Sequence, residues 1–243
     1  MQNGKTMKKT VKLTVALFLV VLGATAQDLT LDEILIRHYK AVGVENMKKI
    51  TTVTMTGTMI QQDAMPVKIT RKSPDKYVME FDIQDITAWQ AYDGKTAWMT
   101  TPWTGNAKPQ LMPEDRAKDL KTRADFEGVL VNWKTKGHAV ELVGRDTVEK
   151  APVYKLKITK NDGGTEYLFV DAGNFLISKR LYMRTIRGKE VPMENYYRDY
   201  RAVEGIMYAF TQDTYFDGQP YNSLQLDNIE LNKPVDEKIF RMP

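Results

Sequence analysis

The hydrophobic positions of this chain alternate between two periods. From Thr30 to Gly43 they recur at helical spacing. Leu31, Ile34, Leu35, His38 and Tyr39 share one face, Thr30-Leu31-Asp32-Glu33 supplies a capping box, and Gly43 supplies a stop. A short second helix is expected over 44–50. The period then falls to two: Thr52-Val53-Thr54-Met55-Thr56-Gly57-Thr58-Met59 alternates Thr with larger residues, as a strand with one buried face does. Further strands are expected over 66–72, 76–82, 87–92 and, after the hairpin turn Asp93-Gly94, 96–100.

The strand series is interrupted once. Residues 102–109, with Pro102, Gly105 and Pro109, read as a loop. Pro113-Glu114-Asp115 then reads as a helix start, with Pro in the first turn and acids at the positive end of the dipole. Helix is expected in pieces as far as Trp133, with Leu120, Phe126, Leu130 and Trp133 apolar and Gly137 as the stop. From His138 onward the period is two again. Runs rich in Tyr, Ile, Val, Phe and Thr are broken by Asn161-Asp162-Gly163-Gly164, Asp171-Ala172-Gly173-Asn174, Arg187-Gly188-Lys189, Val203-Glu204-Gly205 and Asp217-Gly218-Gln219. The expected fold class is mainly β with a few helices: an antiparallel meander of roughly ten strands, wide enough to curl, with the inserted helix burying its apolar side on one face.

Composition adds a location. Lys5, Lys8, Lys9 and Lys12 precede the apolar run 15–22, and Ala24-Thr25-Ala26 supplies small residues for cleavage before Gln27. Residues 1–26 thus read as a signal peptide and 27–243 as a single exported domain, periplasmic and not integral to the membrane. The whole chain carries 35 basic and 31 acidic residues, net +4. Without the four leader lysines, 31 basic residues remain against 31 acidic. No basic stripe survives to support nucleic-acid binding. There is no cysteine, which excludes disulfides, thiolate metal sites, a Cys nucleophile and lipidation on Cys.

The helical start after a leader, the strand carrying Met55-Thr56-Gly57, and Val153-Tyr154-Lys155-Leu156-Lys157-Ile158 with Tyr167-Leu168-Phe169-Val170-Asp171 together resemble the LolA/LolB-like outer-membrane lipoprotein-sorting proteins. The stretch 197–206, Tyr197-Arg198-Asp199-Tyr200 through Gly205-Ile206, is similar to that family's strand-turn-strand, and 229–243 to its C-terminus. The resemblance implies an incomplete barrel with helices over its concave side, and a hollow that holds the acyl chains of a lipid or a lipidated protein. The mature chain is longer than the compact carriers of that family, and none of their functional arginines is carried over onto it.

The residues themselves fit such a hollow. Methionines suited to irregular ligands are frequent, among them Met55, Met59, Met79 and Met99. Trp89, Trp98 and Trp103 cluster around the hairpin and the loop that follows it, where a lid over a cavity could lie. The expected ligand-binding residues are Trp89, Trp98, Met99, Trp103, Phe126 and Leu130, although Met and Trp fill ordinary cores equally well. Enzyme signatures are few. Ser73, Ser178 and Ser223 sit in no nucleophile elbow, and His38 and His138 have no metal-ligand spacing. The carboxylate pairs Asp82 with Asp85 and Glu114 with Asp115 read as solvated charge. Tyr196-Tyr197-Arg198-Asp199-Tyr200-Arg201 reads as cross-strand pairing rather than a ligand ladder. Two functions follow. One is a monomeric carrier or sensor of lipids or lipoproteins, not an enzyme, with an envelope protein as a further partner. The alternative is a protein-interaction module whose hollow is filled by its own helices. No metal or cofactor is expected, so EDTA should leave the thermal melting temperature unchanged; a clear drop would reveal a metal site.

Overall fold

The computed structural model describes residues 29–83, 86–186 and 188–243. The leader read over 1–26 lies outside the described residues, as do Asp85 and Arg187. Helix α1 (Leu31–Val42) begins as its capping box requires: the Glu33 N–H donates to Thr30 Oγ1 at 3.3 Å, and the Thr30 N–H donates to Glu33 Oε2 at 2.8 Å. It ends at Gly43, whose φ is 83°. An added Cβ there would stand 2.1 Å from the Gly205 carbonyl oxygen, so both the left-handed backbone and the close approach demand glycine. A short α2 (Val44–Met47) follows.

Strands β1 (Thr52–Ile60), β2 (Ala64–Lys72), β3 (Lys76–Ile83), β4 (Ile86–Tyr92), β5 (Ala97–Thr101) and β6 (Asn106–Leu111) run as a meander from the middle of a sheet to one edge. Helix α3 (Glu114–Ala124) and the turns after it carry the chain across to the opposite edge. From there β7 (Ala139–Val148), β8 (Ala151–Thr159), β9 (Thr165–Asp171), β10 (Ile177–Ile186), β11 (Lys189–Val203), β12 (Ile206–Phe216) and β13 (Gln219–Leu231) return to the middle, where β13 pairs antiparallel with β1. The result is one antiparallel sheet of thirteen strands whose edges, β6 and β7, do not pair with each other. It is an incomplete barrel.

Helix α3 packs against β3, β4 and β5, and also against β10, which lies far away in the sheet order. Only a sheet curled around the helix can touch it from both sides. Leu120 and Ala124 of α3 join Tyr77, Met79, Phe81 and Ala88 in one buried cluster. Ile34 and Leu35 of α1 join Tyr154, Leu156, Leu168 and Val170 in another. Both helices therefore lie on the concave face, as the amphipathic pattern requires.

The junction of the two meanders depends on a bulge. In β13 the apolar residues fall at Leu224, Leu226, Ile229 and Leu231, a spacing that breaks strict alternation. The register places Gly57 opposite Leu226 and Thr56 opposite Asn228, so Asp227 is the extra residue. Ile229 and Leu231 are thereby returned to the face of Leu226, opposite Met55 and Val53. At Gly57 an added Cβ would lie 2.1 Å from the Gln225 carbonyl oxygen.

The convex face of β3–β5 is covered by the C-terminal segment. Val78, Ala91 and Trp98 pack with Phe240, which is fully buried, and Trp98 Nε1 donates to the Phe240 carbonyl at 2.8 Å. Lys72 and Lys76 flank the Glu237 carboxylate and hold its pKa down, to about 2. That carboxylate therefore supports the segment above the ordinary carboxylate range and releases it as pH falls towards 2.

The structure corrects the sequence reading in two places. The described residues form thirteen strands rather than roughly ten, and one of them lies where a loop was expected: after a 3-10 turn at Pro102–Thr104, 102–109 begins the edge strand β6. That strand is mostly exposed and carries Lys108 and Pro109, as edge strands do to deter further pairing, and this disguised it. Helix does not reach Trp133 but ends at Ala124. Asn132 adopts a φ of 56°, and Lys136 grips both Asp125 oxygens, at 2.6 and 2.8 Å, so 125–137 folds into turns. The junction at β1 generates a prediction. Gly57→Ala should lower the urea unfolding midpoint and cost about 1–3 kcal/mol, because the neighbouring backbone must move.

Candidate functional site

Between the sheet and the segment 122–131 lies a cavity of about 460 Å³. Its walls differ in chemistry. Met55 and Met59 of β1, Ile69 of β2, Met79 of β3 and Leu224 and Leu226 of β13 form an apolar wall. Facing it are Glu166 of β9, Arg180, Tyr182 and Arg184 of β10, and Asn195 and Tyr197 of β11. Strand β10 produces this second wall by alternation. Arg180, Tyr182 and Arg184 share the inward phase, so Met183 points outward and is 47% exposed. The register sets Tyr182 opposite Glu166 on one side and Met193 on the other, with Arg180 opposite Asn195.

The polar wall is tied to α3 by charge. Arg180 donates to Glu166 Oε2 from Nε at 3.1 Å and from Nη2 at 2.8 Å, and Glu166 is only 1% exposed. Arg123 Nε meets Asp119 Oδ2 at 3.1 Å, while Arg180 stands 4.0 Å from the other Asp119 oxygen. Burial acts to raise the Asp119 pKa, but Arg123, Arg180 and Arg184 outweigh it and hold the carboxyl ionised. Burial raises Tyr77, Tyr182 and Tyr197, so their hydroxyls stay protonated. Asn195 Nδ2 donates to Thr214 Oγ1 at 2.9 Å. Arg71 Nη2 donates to the Asp125 carbonyl at 2.6 Å. Burial depresses the Arg71 pKa below the ordinary guanidinium range, with Tyr208, Tyr77 and Asp125 opposing.

Of the six residues expected to bind ligand, Leu130 lines the cavity. It is held by Tyr39, whose hydroxyl donates to the Leu130 carbonyl at 2.6 Å. Met99 lies on the concave side, packed with the α3 cluster, and Phe126 is buried among Val53, Ile206 and Phe210 beneath the Arg71 guanidinium. Trp103 is half exposed, its ring 6.2 Å from that of Phe81. Trp89 and Trp98 stack on each other on the convex face, under the C-terminal segment. Adjacent strand residues point to opposite faces, so Met99 faces inward and Trp98 outward. Sequence reasoning missed the arginine–tyrosine wall; its signal was the alternation Arg180, Tyr182, Arg184.

His38 also lines the cavity, 5% exposed, with Nδ1 2.8 Å from the Phe175 carbonyl. His138 Nδ1 accepts from the Asn161 N–H at 3.2 Å. Among the described residues no group of three or more His, Asp or Glu is placed to hold a metal. The run 196–201 forms some of the cross-strand contacts expected of it, with Arg198 meeting Asp213 and also Glu149 in the β7–β8 turn, and Lys179 over the Tyr196 ring, but Tyr197 and Tyr200 of the same run line the cavity.

No family model matches the chain, and no curated protein matches it in sequence. Solved structures do match in fold. A LolA superfamily protein from Nitrosomonas europaea shares 14% identity at a TM-score of 0.58, over 88% of this chain and 98% of that one. A DUF1329 family protein from Desulfovibrio piger gives 10%, 0.60, 86% and 97%. A domain provisionally described as an outer membrane lipoprotein-sorting protein, from Vibrio parahaemolyticus, gives 12%, 0.57, 86% and 96%. The chain therefore has the LolA-like fold. Among the described residues no helix is long and apolar enough to cross a membrane.

The histidine generates a prediction. Burial holds the His38 pKa below its ordinary 6.5, with the Phe175 carbonyl opposing. Between the depressed value and 6.5 the unfolded chain binds more protons than the folded one, so the stability owed to the neutral ring is complete above 6.5 and is lost as pH falls. Unfolding midpoints should drop from about pH 8 to about pH 5, and His38→Gln should flatten that slope, leaving the part that comes from other groups.

Proposed function

We propose that this protein is a carrier or sensor that holds acyl chains of a lipid or a lipidated protein in the hollow of its curved sheet. The carrying observation is the cavity of about 460 Å³ beneath α3. Its volume lies within the range of roughly 300–1,000 Å³ usual for small-molecule sites. Three of the six residues named in its apolar wall, Met55, Met59 and Met79, are methionine, which adapts to irregular chains. Each methylene moved from water to that wall contributes about 0.8 kcal/mol. The LolA superfamily fold of the Nitrosomonas protein supports the same reading. Export by the leader over 1–26, with 27–243 acting as one monomeric domain in the periplasm and meeting an envelope protein there, belongs to this proposal. Binding, not catalysis, is its chemistry.

Within it, Leu130 serves in the wall, and Trp103, on a turn outside the strand ladder, serves at the rim. Met99 packs with α3 and Phe126 lies beneath Arg71, both beside the cavity, while Trp89 and Trp98 support the sheet from behind. Native mass spectrometry of protein purified without detergent should show a lipid adduct; a clean apo mass would favour the alternative, a hollow serving only to seat the chain's own helices. Titration with a fatty acid or lipopeptide should shift tryptophan fluorescence. Trp103→Ala should weaken binding by roughly 1–3 kcal/mol at a nearly unchanged melting temperature; strong destabilisation with no fluorescence response would make Trp103 a packing residue.

A further inference from the structure

The cavity carries more positive charge than its own carboxylates neutralise. Arg71, Arg123, Arg180 and Arg184 line it, and Lys136 and Lys160 touch its acids. Against these six stand four carboxylates: Asp119, Asp125, Glu127 and Glu166. Asp125 and Glu127 share Lys136, and Glu166 is engaged by Arg180 with Lys160 at 3.8 Å. Two positive charges are left over. Among the described residues four buried polar atoms have no hydrogen-bond partner, and two of them belong to these cations: Arg71 Nε and Arg184 Nε, beside Asp119 Oδ1 and Thr70 Oγ1. Among the described residues, Arg71 Nη2 hydrogen-bonds to a neutral carbonyl, that of Asp125. Arg184 shares Asp119 with Arg123 and Arg180. Removing guanidinium groups from water without matching anions is unfavourable, and a bound anion relieves it.

We infer that the hollow selects an anionic amphiphile: an apolar chain against Met55, Met59, Met79 and Leu226, and an acidic headgroup, carboxylate or phosphate, between the Arg71 and Arg184 guanidinium groups. The two walls described above supply both halves of that chemistry. The planar fork of arginine suits either acid, because both offer paired oxygens. The protonated hydroxyl of Tyr182 is available as a further donor to the same oxygens. This inference rests on the reading that the hollow holds acyl chains, and its test separates the two.

Palmitic acid, hexadecyl phosphate and hexadecanol share one chain and differ only in the head. Each is titrated into the full mature protein below its aggregation concentration, with displacement of a fluorescent fatty acid as the readout. The charged heads should bind roughly tenfold or more tighter than the alcohol, as one charge-assisted hydrogen-bond pair gives. Whichever acid binds tighter identifies the headgroup as carboxylate or phosphate. Arg184→Gln and the milder Arg71→Lys should each weaken palmitate and hexadecyl phosphate binding several-fold more than hexadecanol binding, so that most of the preference is lost, at a melting temperature checked for each variant. Equal binding of all three ligands would overturn the anionic head and leave the acyl-chain reading standing. Failure of all three to displace the probe would overturn both.

Discussion

Each strand of a sheet is rotated by roughly 20–25° from its neighbour, and thirteen in succession curl this one until its two halves face each other across a hollow. Two consequences follow from that twist. The concave face cannot be left to water, because Ile69, Met79, Leu168 and Leu226 all point into it. Nor can a single layer of side chains fill it. The chain answers with α3, the crossover that must in any case travel from the edge at β6 to the edge at β7. One connection thus closes the topology and covers the hollow.

What holds that crossover in place is charge as much as apolar burial. Leu120 and Ala124 seat α3 on β3 and β4. The contact with the far side runs through Asp119, Arg123, Arg180 and Glu166, at distances of 2.8–4.0 Å. A buried ionic cluster is a weak source of net stability, since desolvation offsets much of its attraction. It is a strong source of position, because a guanidinium without its carboxylate is far less favourable than either arrangement that pairs it. The same cluster leaves the wall beneath α3 polar, and so divides the cavity into an apolar half and a cationic half.

The outer face follows other rules. Over β3–β5 it is closed by the C-terminal segment, with Phe240 against Trp98. Over β7–β11 it carries a smaller buried cluster of Val148, Val153 and Phe169, with cations resting on its rings, Lys155 on Tyr167 and Lys179 on Phe169 and Tyr196. The run 196–201 divides between the two faces: Tyr196 and Arg198 meet partners outside, while Tyr197 lines the cavity.

Much of the fold was legible in the residues because its signals are local. The capping box at Thr30, the stop at Gly43 and the turn residues between β8 and β13 act within a few positions of themselves, and each stands where the sequence put it. Edge strand β6 was not legible, since Lys108 and Pro109 exist to make it a poor strand. The site was legible only in outline. Alternation separates Trp98 from Met99 and Arg180 from Leu181, but period two says only that there are two faces. Which face becomes the hollow is decided by contacts between residues far apart in the chain: β1 with β13 across the Asp227 bulge, and Asp119 of α3 with Arg180 of β10. The sequence by itself determined most of the elements and the antiparallel class, though not edge strand β6 or the end of α3, because those signals depend on neighbours along the chain. Only the tertiary structure decided that Leu130 and the arginines line the cavity while Trp98 lies behind the sheet, because the direction of curl belongs to the whole sheet and to no single strand.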